Sequence, residues 1–371
     1  EIIQYVAEAR FWRAFSYDKL YHLFGTVPLV TGSQDIKNGI ARASQEEMES
    51  FIETELADVE KVLPETYSST DYGRPTSWAV KATLSRYYLN KKDWKKASIY
   101  AKEIIDKGGF NVVDYQDIFS KNQNDEVILA INHIAEANHG NKYVALVLEA
   151  SIRDALGITG VSASNGYGMA VPFFRTFDPD DKRITPYNPA TGKGIAVSGI
   201  VYKSDGTPVY GTPEEPKSVE EQLSRVLTFK WEVQTNIPLG EDASLNVPAL
   251  RLGEVMLTYA EAENELGHLE EAKTYVDKIR SRAGLENLPA NLNMASMRDA
   301  ILDERGWELY HEGYRREDLV RHGKLLEKVN EKYHYYFGKD MPWKNNNDRI
   351  LQPIPTNALL LNPLLKQNPG Y

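Results

Sequence analysis

The chain has 371 residues and carries 43 Lys+Arg against 53 Asp+Glu, a net charge of −10. That balance argues against a general affinity for nucleic-acid phosphates or anionic lipid surfaces, which both need a basic face. Cysteine is absent, which excludes disulfides, thiol nucleophiles and Cys-ligated metals, and no apolar run approaches the roughly 18 residues of a membrane span. The length allows one large domain or two or three ordinary ones. Tyrosine is abundant, with 22 Tyr beside 6 Trp. Glu1 is not a methionine and a helical pattern begins at once, so residues upstream, with any targeting peptide, are expected to be missing from this sequence.

Residues 1–24 place Ile2, Ile3, Val6, Phe11, Trp12, Phe15, Leu20, Leu23 and Phe24 around much of a predicted helix, which is expected to be deeply buried. Gly25 stops it, and Pro28 biases Val27 toward an extended exit. Ser44 and Glu47 have the spacing of a capping box. Met48, Phe51, Ile52, Leu56, Val59 and Leu63 then recur at helical spacing as far as Pro64.

Residues 76–106 read as a helical hairpin. Ala79, Ala82, Leu84 and Tyr87 mark the first helix, residues 90–93 the turn, and Trp94, Ala97, Tyr100, Ala101 and Ile104 the second. Residues 251–284 repeat the plan: a shift of 175 (259 − 84) aligns Leu84 with Tyr259, Ala97 with Ala272, Tyr100 with Tyr275 and Ile104 with Ile279. Small residues on facing helices suit tetratricopeptide-like pairs. Two degenerate copies fit equally any two antiparallel amphipathic hairpins.

Between the hairpins, residues 127–132 form a short β-branched run expected to be a strand. Residues 136–250 are rich in Gly, Pro, Asn, Ser and Tyr, yet keep aromatic and β-branched residues throughout. They read as long ordered loops with short strands at 200–203 and 226–233, with Asp205-Gly206 as a turn. Long ordered loops on a rigid scaffold are where ligands usually bind. In the last third, Ser296 with Asp299 is expected to cap a helix carrying Ile301, Leu302, Trp307 and Leu309. Gly313 breaks it, residues 317–329 resume it, and Pro353, Pro355, Pro363 and Pro369 predict an extended arm. The fold class is mainly α: helical pairs as a scaffold with a large loop-rich region. The segments are 1–135, 136–250 and 251–371, read as one integrated unit.

Chemistry-bearing motifs are sparse. The seven histidines show no metal-ligand spacing, Gly166-Tyr167-Gly168 lacks the strand–turn–helix setting of a dinucleotide loop, and no nucleophile elbow is present. Asp178, Asp180 and Asp181 beside Lys182 and Arg183 fit either a cation site or a turn with local ion pairs, and without an EF-hand pattern the turn is favoured. No metal or other cofactor is expected. A sugar ring offers a flat C–H face to Tyr or Trp, while Asn, Asp, Gln or Arg bond its hydroxyls. Tyr143, Tyr167, Tyr187, Tyr202, Tyr210, Trp231 and Trp343 lie in loop-rich segments, whereas Trp12, Trp78, Trp94 and Trp307 lie on predicted helices and are expected in the core.

Several segments resemble one family. EARFWRAFSYDKLYHLFGTVPLVT at 8–31, GRPTSWAVKATLSRYYL at 73–89, RLGEVMLTYAEAENEL at 251–266 with KIRSRAGL at 278–285, ILDERGWELYHEGYRREDLVRHG at 301–323 and the PIP…QNPGY tail at 351–371 run in the order of the RagB/SusD family of Bacteroidetes outer-surface proteins. Gly306 and Glu317 depart from its pattern at positions read as structural. The resemblance implies a scaffold of tetratricopeptide-like pairs, a lipid-anchored protein at the outer-membrane surface, and a SusC-like TonB-dependent transporter as partner. Its implied function is capture of oligo- or polysaccharide without bond cleavage, and the anchor cysteine would lie upstream of Glu1. By position the ligand region is about 136–235. The first-choice ring platforms are Tyr202, Tyr210, Trp231 and Tyr187, then Tyr167, with Asn188 and Asn141 bonding hydroxyls. Glu304, Arg305 and Glu308 read as an ion-pair set holding helices. The rival readings are a peptide-binding repeat scaffold without a sugar site and a glycoside hydrolase on a helical scaffold, since a carboxylate pair across a cleft is invisible in sequence.

Overall fold

The computed structural model describes residues 1–32, 38–136, 139–148, 150–155, 162–164, 166–184, 225–226, 228, 230–232, 234 and 243–371. The first helix, α1 (Ile2–Phe24), ends at Gly25, whose φ of 72° suits a residue without a Cβ. Only Ala7, Phe11, Ala14 and Asp18 of α1 are buried, while Ile2, Ile3 and Val6 are 79%, 74% and 53% exposed. The expected deep burial is therefore corrected. One stripe packs on the neighbouring helices, and the apolar residues at its start face outward.

Helix α2 (Gln45–Glu60) carries the capping box in full: the Glu47 amide donates to Ser44 Oγ at 3.1 Å and the Ser44 amide to Glu47 Oε2 at 2.7 Å. The two predicted hairpins are present as α3 (Ser77–Asn90) with α4 (Trp94–Lys107), and, later in the chain, as Leu252–Glu265 with Leu269–Arg282. Their turns match as well. Lys92 holds a left-handed φ of 61° where the second hairpin has Gly267 at 88°, again 175 residues on (267 − 92). A lysine tolerates this position less readily than glycine, so the first turn is the strained copy.

After α4 come α5 (Tyr115–Ser120) and β1 (Val127–Ile131), then the short helices α6 (Tyr143–Val147) and α7 (Ala150–Ala155). Strand β2 (Met169–Ala170) runs into α8 (Val171–Phe174), and β3 (Arg225–Val226) pairs antiparallel with β2. The strand expected at 226–233 is thus far shorter. Thr228, Lys230 and Trp231 are all buried, so the alternation of a half-exposed strand is absent. Residues 200–203 and the Asp205-Gly206 turn lie outside the described residues.

Strand β4 (Val247–Arg251) pairs antiparallel with β1, with Ala130 opposite Pro248 and Ile131 opposite Val247. It leads into α9 (Leu252–Glu265) and α10 (Leu269–Arg282), the second hairpin. Helix α9 packs against α4, α10 and α11 (Met294–Glu308), so it is sheathed and buried over nearly its whole length. The N-cap of α11 is Asn293, not Ser296. Ser296 is its N3 partner, its amide donating to Asn293 Oδ1 at 3.0 Å while its hydroxyl accepts from the Asn293 amide at 2.9 Å. The run after Gly313 divides into α12 (Arg315–Arg321) and α13 (Leu325–Phe337), and the proline-rich arm contains a short helix, α14 (Thr356–Leu361). One core joins α1–α4 with α9–α11. A second joins Tyr115 and Phe119 of α5 to Met169, Val171, Phe177, Val226, Trp231 and Leu245 from the loop-rich segment.

Candidate functional site

The described part of the loop-rich region is fastened to the helices by buried charge. Arg251 at the start of α9 reaches Glu126 at 2.8 Å, Glu308 at 2.5 Å and Glu312 at 2.7 Å. Arg183, from the segment after α8, reaches Asp181 at 2.8 Å, Glu304 at 2.7 Å and Glu308 at 3.2 Å. Arg282 pairs with Glu126 at 2.7 Å and also with Glu308, and Arg280 meets Glu304 at 3.3 Å. Lys230 donates to Glu312 at 2.6 Å and to the Tyr310 carbonyl at 2.5 Å. Asp181, Glu126, Glu304, Glu308 and Glu312 thus face Arg183, Arg251, Arg280, Arg282 and Lys230. A buried ion survives only when paired and hydrogen-bonded, and this arrangement satisfies both conditions.

Burial works to raise the Glu308 carboxyl, but Arg282, Arg251 and Arg183 hold it well below the usual carboxylate range. Glu304 is raised, burial outweighing Arg183. Two carboxyls pushed apart in this way can serve as acid and base where a substrate reaches them. Here both side chains are fully buried against arginines, so their chemistry is structural. This agrees with the ion-pair role read for Glu304 and Glu308. Arg305 joins a neighbouring set through Asp318 at 2.9 Å. The Asp178–Asp181 cluster is a turn with a local ion pair: the Asp180 amide donates to Asp178 Oδ1 at 2.9 Å and Asp181 holds Arg183. Among the described residues no group of three His, Cys, Asp or Glu is arranged to hold a metal.

Above these charges runs a series of aromatic rings. Trp231 lies 5.2 Å from Phe119 and 4.3 Å from Tyr143, centroid to centroid. Tyr143 donates to or accepts from His311 Nδ1 at 2.6 Å. His311 stacks on Tyr310 at 4.2 Å, and Tyr310 stacks on Phe173 of α8 at 5.9 Å. His311 holds a left-handed φ of 61°, which turns its ring onto Tyr310. The series opens into a cleft of about 510 Å³ between β2–α8 on one side and α11–α13 on the other. Pro172, Phe173, Leu309, Leu319 and Val329 make its apolar walls. Arg315, Arg316, Asp303, Lys328, Glu331 and Lys332 supply its charges. A volume of this size, with apolar walls and charged groups converging on it, is in the range of a ligand pocket.

Burial, with the Lys230 charge beside it, pushes the His311 imidazole down to about 4 from 6.5. Between those values the unfolded chain binds a proton that the folded one refuses. The stabilisation is therefore fully present above pH 6.5 and is lost as the pH falls through 4, up to about 3 kcal/mol. Thermal melts of wild type and His311→Asn between pH 6.5 and 4 test this. The variant is expected to lose less stability over that range, and equal slopes would refute the assignment.

The structure places the predicted contact residues unevenly. Trp231 is 3% exposed, its Nε1 donating to the Asn246 carbonyl at 3.4 Å, so it is a core ring of this wall and not an open platform. Asn141 is also buried: its Nδ2 donates to the Leu245 carbonyl at 3.0 Å and its Oδ1 accepts from the Tyr143 amide at 2.8 Å. Its amide is engaged in holding the chain. Tyr167 is 57% exposed, one residue from Gly168 on the cleft rim. Tyr187, Asn188, Tyr202 and Tyr210 lie outside the described residues. Trp78 is buried as expected, and Trp343 is 38% exposed. Sequence reasoning did not single out Phe173, although it lies within the expected ligand region, and it read Tyr310, His311, Arg315 and Arg316 as part of the helical scaffold.

A scaffold of helical pairs with a cleft between α8 and α11–α13 defines the fold class, and comparison places the chain in a family. Residues 181–371 match the SusD family, and residues 1–89 match a family described as starch-binding, associating with the outer membrane. The chain belongs to the SusD family. It is 25% identical to SusD-like protein P25 of Formosa agariphila and 24% identical to the starch-binding protein SusD of Bacteroides thetaiotaomicron, in each case over 100% of this chain and 73% of the relative. Among solved structures, a SusD homologue from Bacteroides thetaiotaomicron superposes with a TM-score of 0.78 at 22% identity, covering 99% of this chain and 79% of that one. A laminarin-binding SusD-like protein gives 0.75 at 22% identity, covering 98% and 78%. These structural likenesses bear on the fold. No described helix is long and apolar enough to cross a membrane.

Proposed function

We propose that this protein captures oligo- or polysaccharide at the outer-membrane surface and passes it to a SusC-like TonB-dependent transporter, without cleaving it. The observation that carries the reading is the cleft between α8 and α11–α13 of a SusD-family scaffold, lined by the stacked rings of Phe173, Tyr310 and His311. Relatives described as starch-binding and laminarin-binding support a glycan as the ligand. The burial of Glu304 and Glu308 against arginines supports capture over hydrolysis. In this reading the segments 1–135, 136–250 and 251–371 act as one unit, because β1 pairs with β4 and α4 packs on α9. A lipid anchor upstream of Glu1 would hold the protein at the membrane. Tyr167, Tyr187, Asn188, Tyr202 and Tyr210 are the proposed additional sugar contacts.

Native affinity electrophoresis against a polysaccharide panel tests the reading. Retardation by at least one glycan without release of reducing ends is the expected result. Reducing ends would favour a hydrolase, and no retardation by any glycan would favour a peptide-binding scaffold.

A further inference from the structure

We infer that the cleft between α8 and α11–α13 is a subsite for a negatively charged sugar, one bearing a carboxylate or a sulfate. The inference rests on the glycan-binding reading and narrows it to a ligand class. The chain as a whole carries a charge of −10, yet the cleft collects Arg315, Arg316, Lys328 and Lys332 against Asp303 and Glu331. Lys328 and Glu331 already satisfy one another at 2.9 Å. Arg315, Arg316 and Lys332 remain, with Asp318 and Asp303 near Arg315 and Glu317 near Arg316 but none of them in a direct ion pair with these arginines.

The two arginines are held unlike those of the charged cluster. Arg251, Arg183 and Arg282 each grip two or three carboxylates. Arg315 donates to the Leu302 carbonyl at 2.7 Å and lies over the Phe173 ring at 5.3 Å. Arg316 donates to the His22 carbonyl at 2.9 Å and to the Ile350 carbonyl. Neither forms an ion pair with a carboxylate among the described residues. Burial pushes both guanidinium groups below the ordinary arginine value, outweighing Asp318 and Asp303 at Arg315 and Glu317 at Arg316. Their remaining N–H donors match the planar oxygens of a carboxylate or the oxygens of a sulfate.

Gly306 makes the arrangement possible. A Cβ there would stand 2.7 Å from Arg315 Nη1, so any side chain would displace the guanidinium from its seat over Phe173. The cleft thus combines an apolar wall for the face of a sugar ring with a cationic corner for an anionic substituent. Lys332 on α13 adds a third cation to the same side of the cleft.

The test is isothermal titration of the full chain with polygalacturonate (carboxylated), carrageenan (sulfated), and laminarin and starch (neutral), at low and raised salt. Binding of an acidic glycan that weakens with salt is expected, together with weaker or no binding of the neutral ones. Whichever of the two acidic glycans binds identifies the group. Lys332→Glu, at an exposed position, is expected to weaken that binding about tenfold with an unchanged melting temperature. Arg315→Lys, which keeps the charge but loses the fork, should weaken it as well. Neutral glycans binding as tightly as acidic ones would overturn the inference and leave the glycan-binding reading intact. Acidic-glycan affinity within twofold of wild type in both variants would also overturn it. Failure of all four glycans to bind would overturn both readings.

Discussion

Replacing Arg251 with alanine is expected to destabilise the fold by roughly 3–5 kcal/mol, the usual result of removing one partner of a buried ion pair. Arg251 is fully buried and contacts three carboxylates, those of Glu126, Glu308 and Glu312. Its loss leaves Glu312 with Lys230, and Glu308 and Glu126 with Arg282 and Arg183. A set of five cations against five carboxylates becomes four against five in a medium that solvates charge poorly. The effect should be visible in urea unfolding followed by tryptophan fluorescence at pH 7. A loss below about 1 kcal/mol would show that water reaches the cluster and that its charges are not holding the loop region. Because Arg183 and Lys230 join that region to the same carboxylates, the variant should also bind glycan less well than its folded fraction predicts.

Trp231→Ala is the second large effect, again roughly 3–5 kcal/mol of stability, as expected for a large aromatic removed from a close-packed core. The ring is 3% exposed and contacts Phe119 and Tyr143, so its removal leaves a cavity in the second core. An open sugar platform would behave in the opposite way, with stability unchanged and binding lost. Tyr167→Ala, at a 57% exposed ring, supplies that contrast. It should leave the unfolding midpoint within about 0.5 kcal/mol of wild type and weaken glycan binding by about 1–3 kcal/mol. If Trp231→Ala unfolds like wild type while losing glycan, the ring is a contact residue and not a core one.

The helical pairs were legible because helix periodicity and capping are local. Ala97 and Ala272 announce close helix contacts from their immediate neighbours, and both are fully buried. Ser44 and Glu47 set the start of α2 within four residues. Where two such signals compete, the local reading slips. Ser296 and Asp299 have cap spacing, yet Asn293 takes the cap because its carboxamide reaches the Ser296 amide first along the chain. The apolar start of α1 was a sharper failure. Hydrophobicity reports what a residue tolerates, and burial requires a partner element, which Ile2 and Ile3 lack among the described residues.

The site depended on contacts that no sequence window spans. The role of Glu308 was readable as ionic, but its partners Arg251 and Arg183 stand 57 and 125 residues away. Trp231 lies in a run read as a short strand of the loop-rich segment, and Tyr143 of α6 and Phe119 of α5 pack on its ring. By itself the chain's sequence specified the family and the paired helices, and it marked a tyrosine-rich segment as the candidate ligand region. The fold assigned which aromatics became core and which remained free, and it gathered Arg315, Arg316 and Lys332 at one cleft. The reason is physical: helix formation is governed by neighbours within about four residues, whereas desolvation and charge compensation are set by whichever distant segments the folded chain brings together.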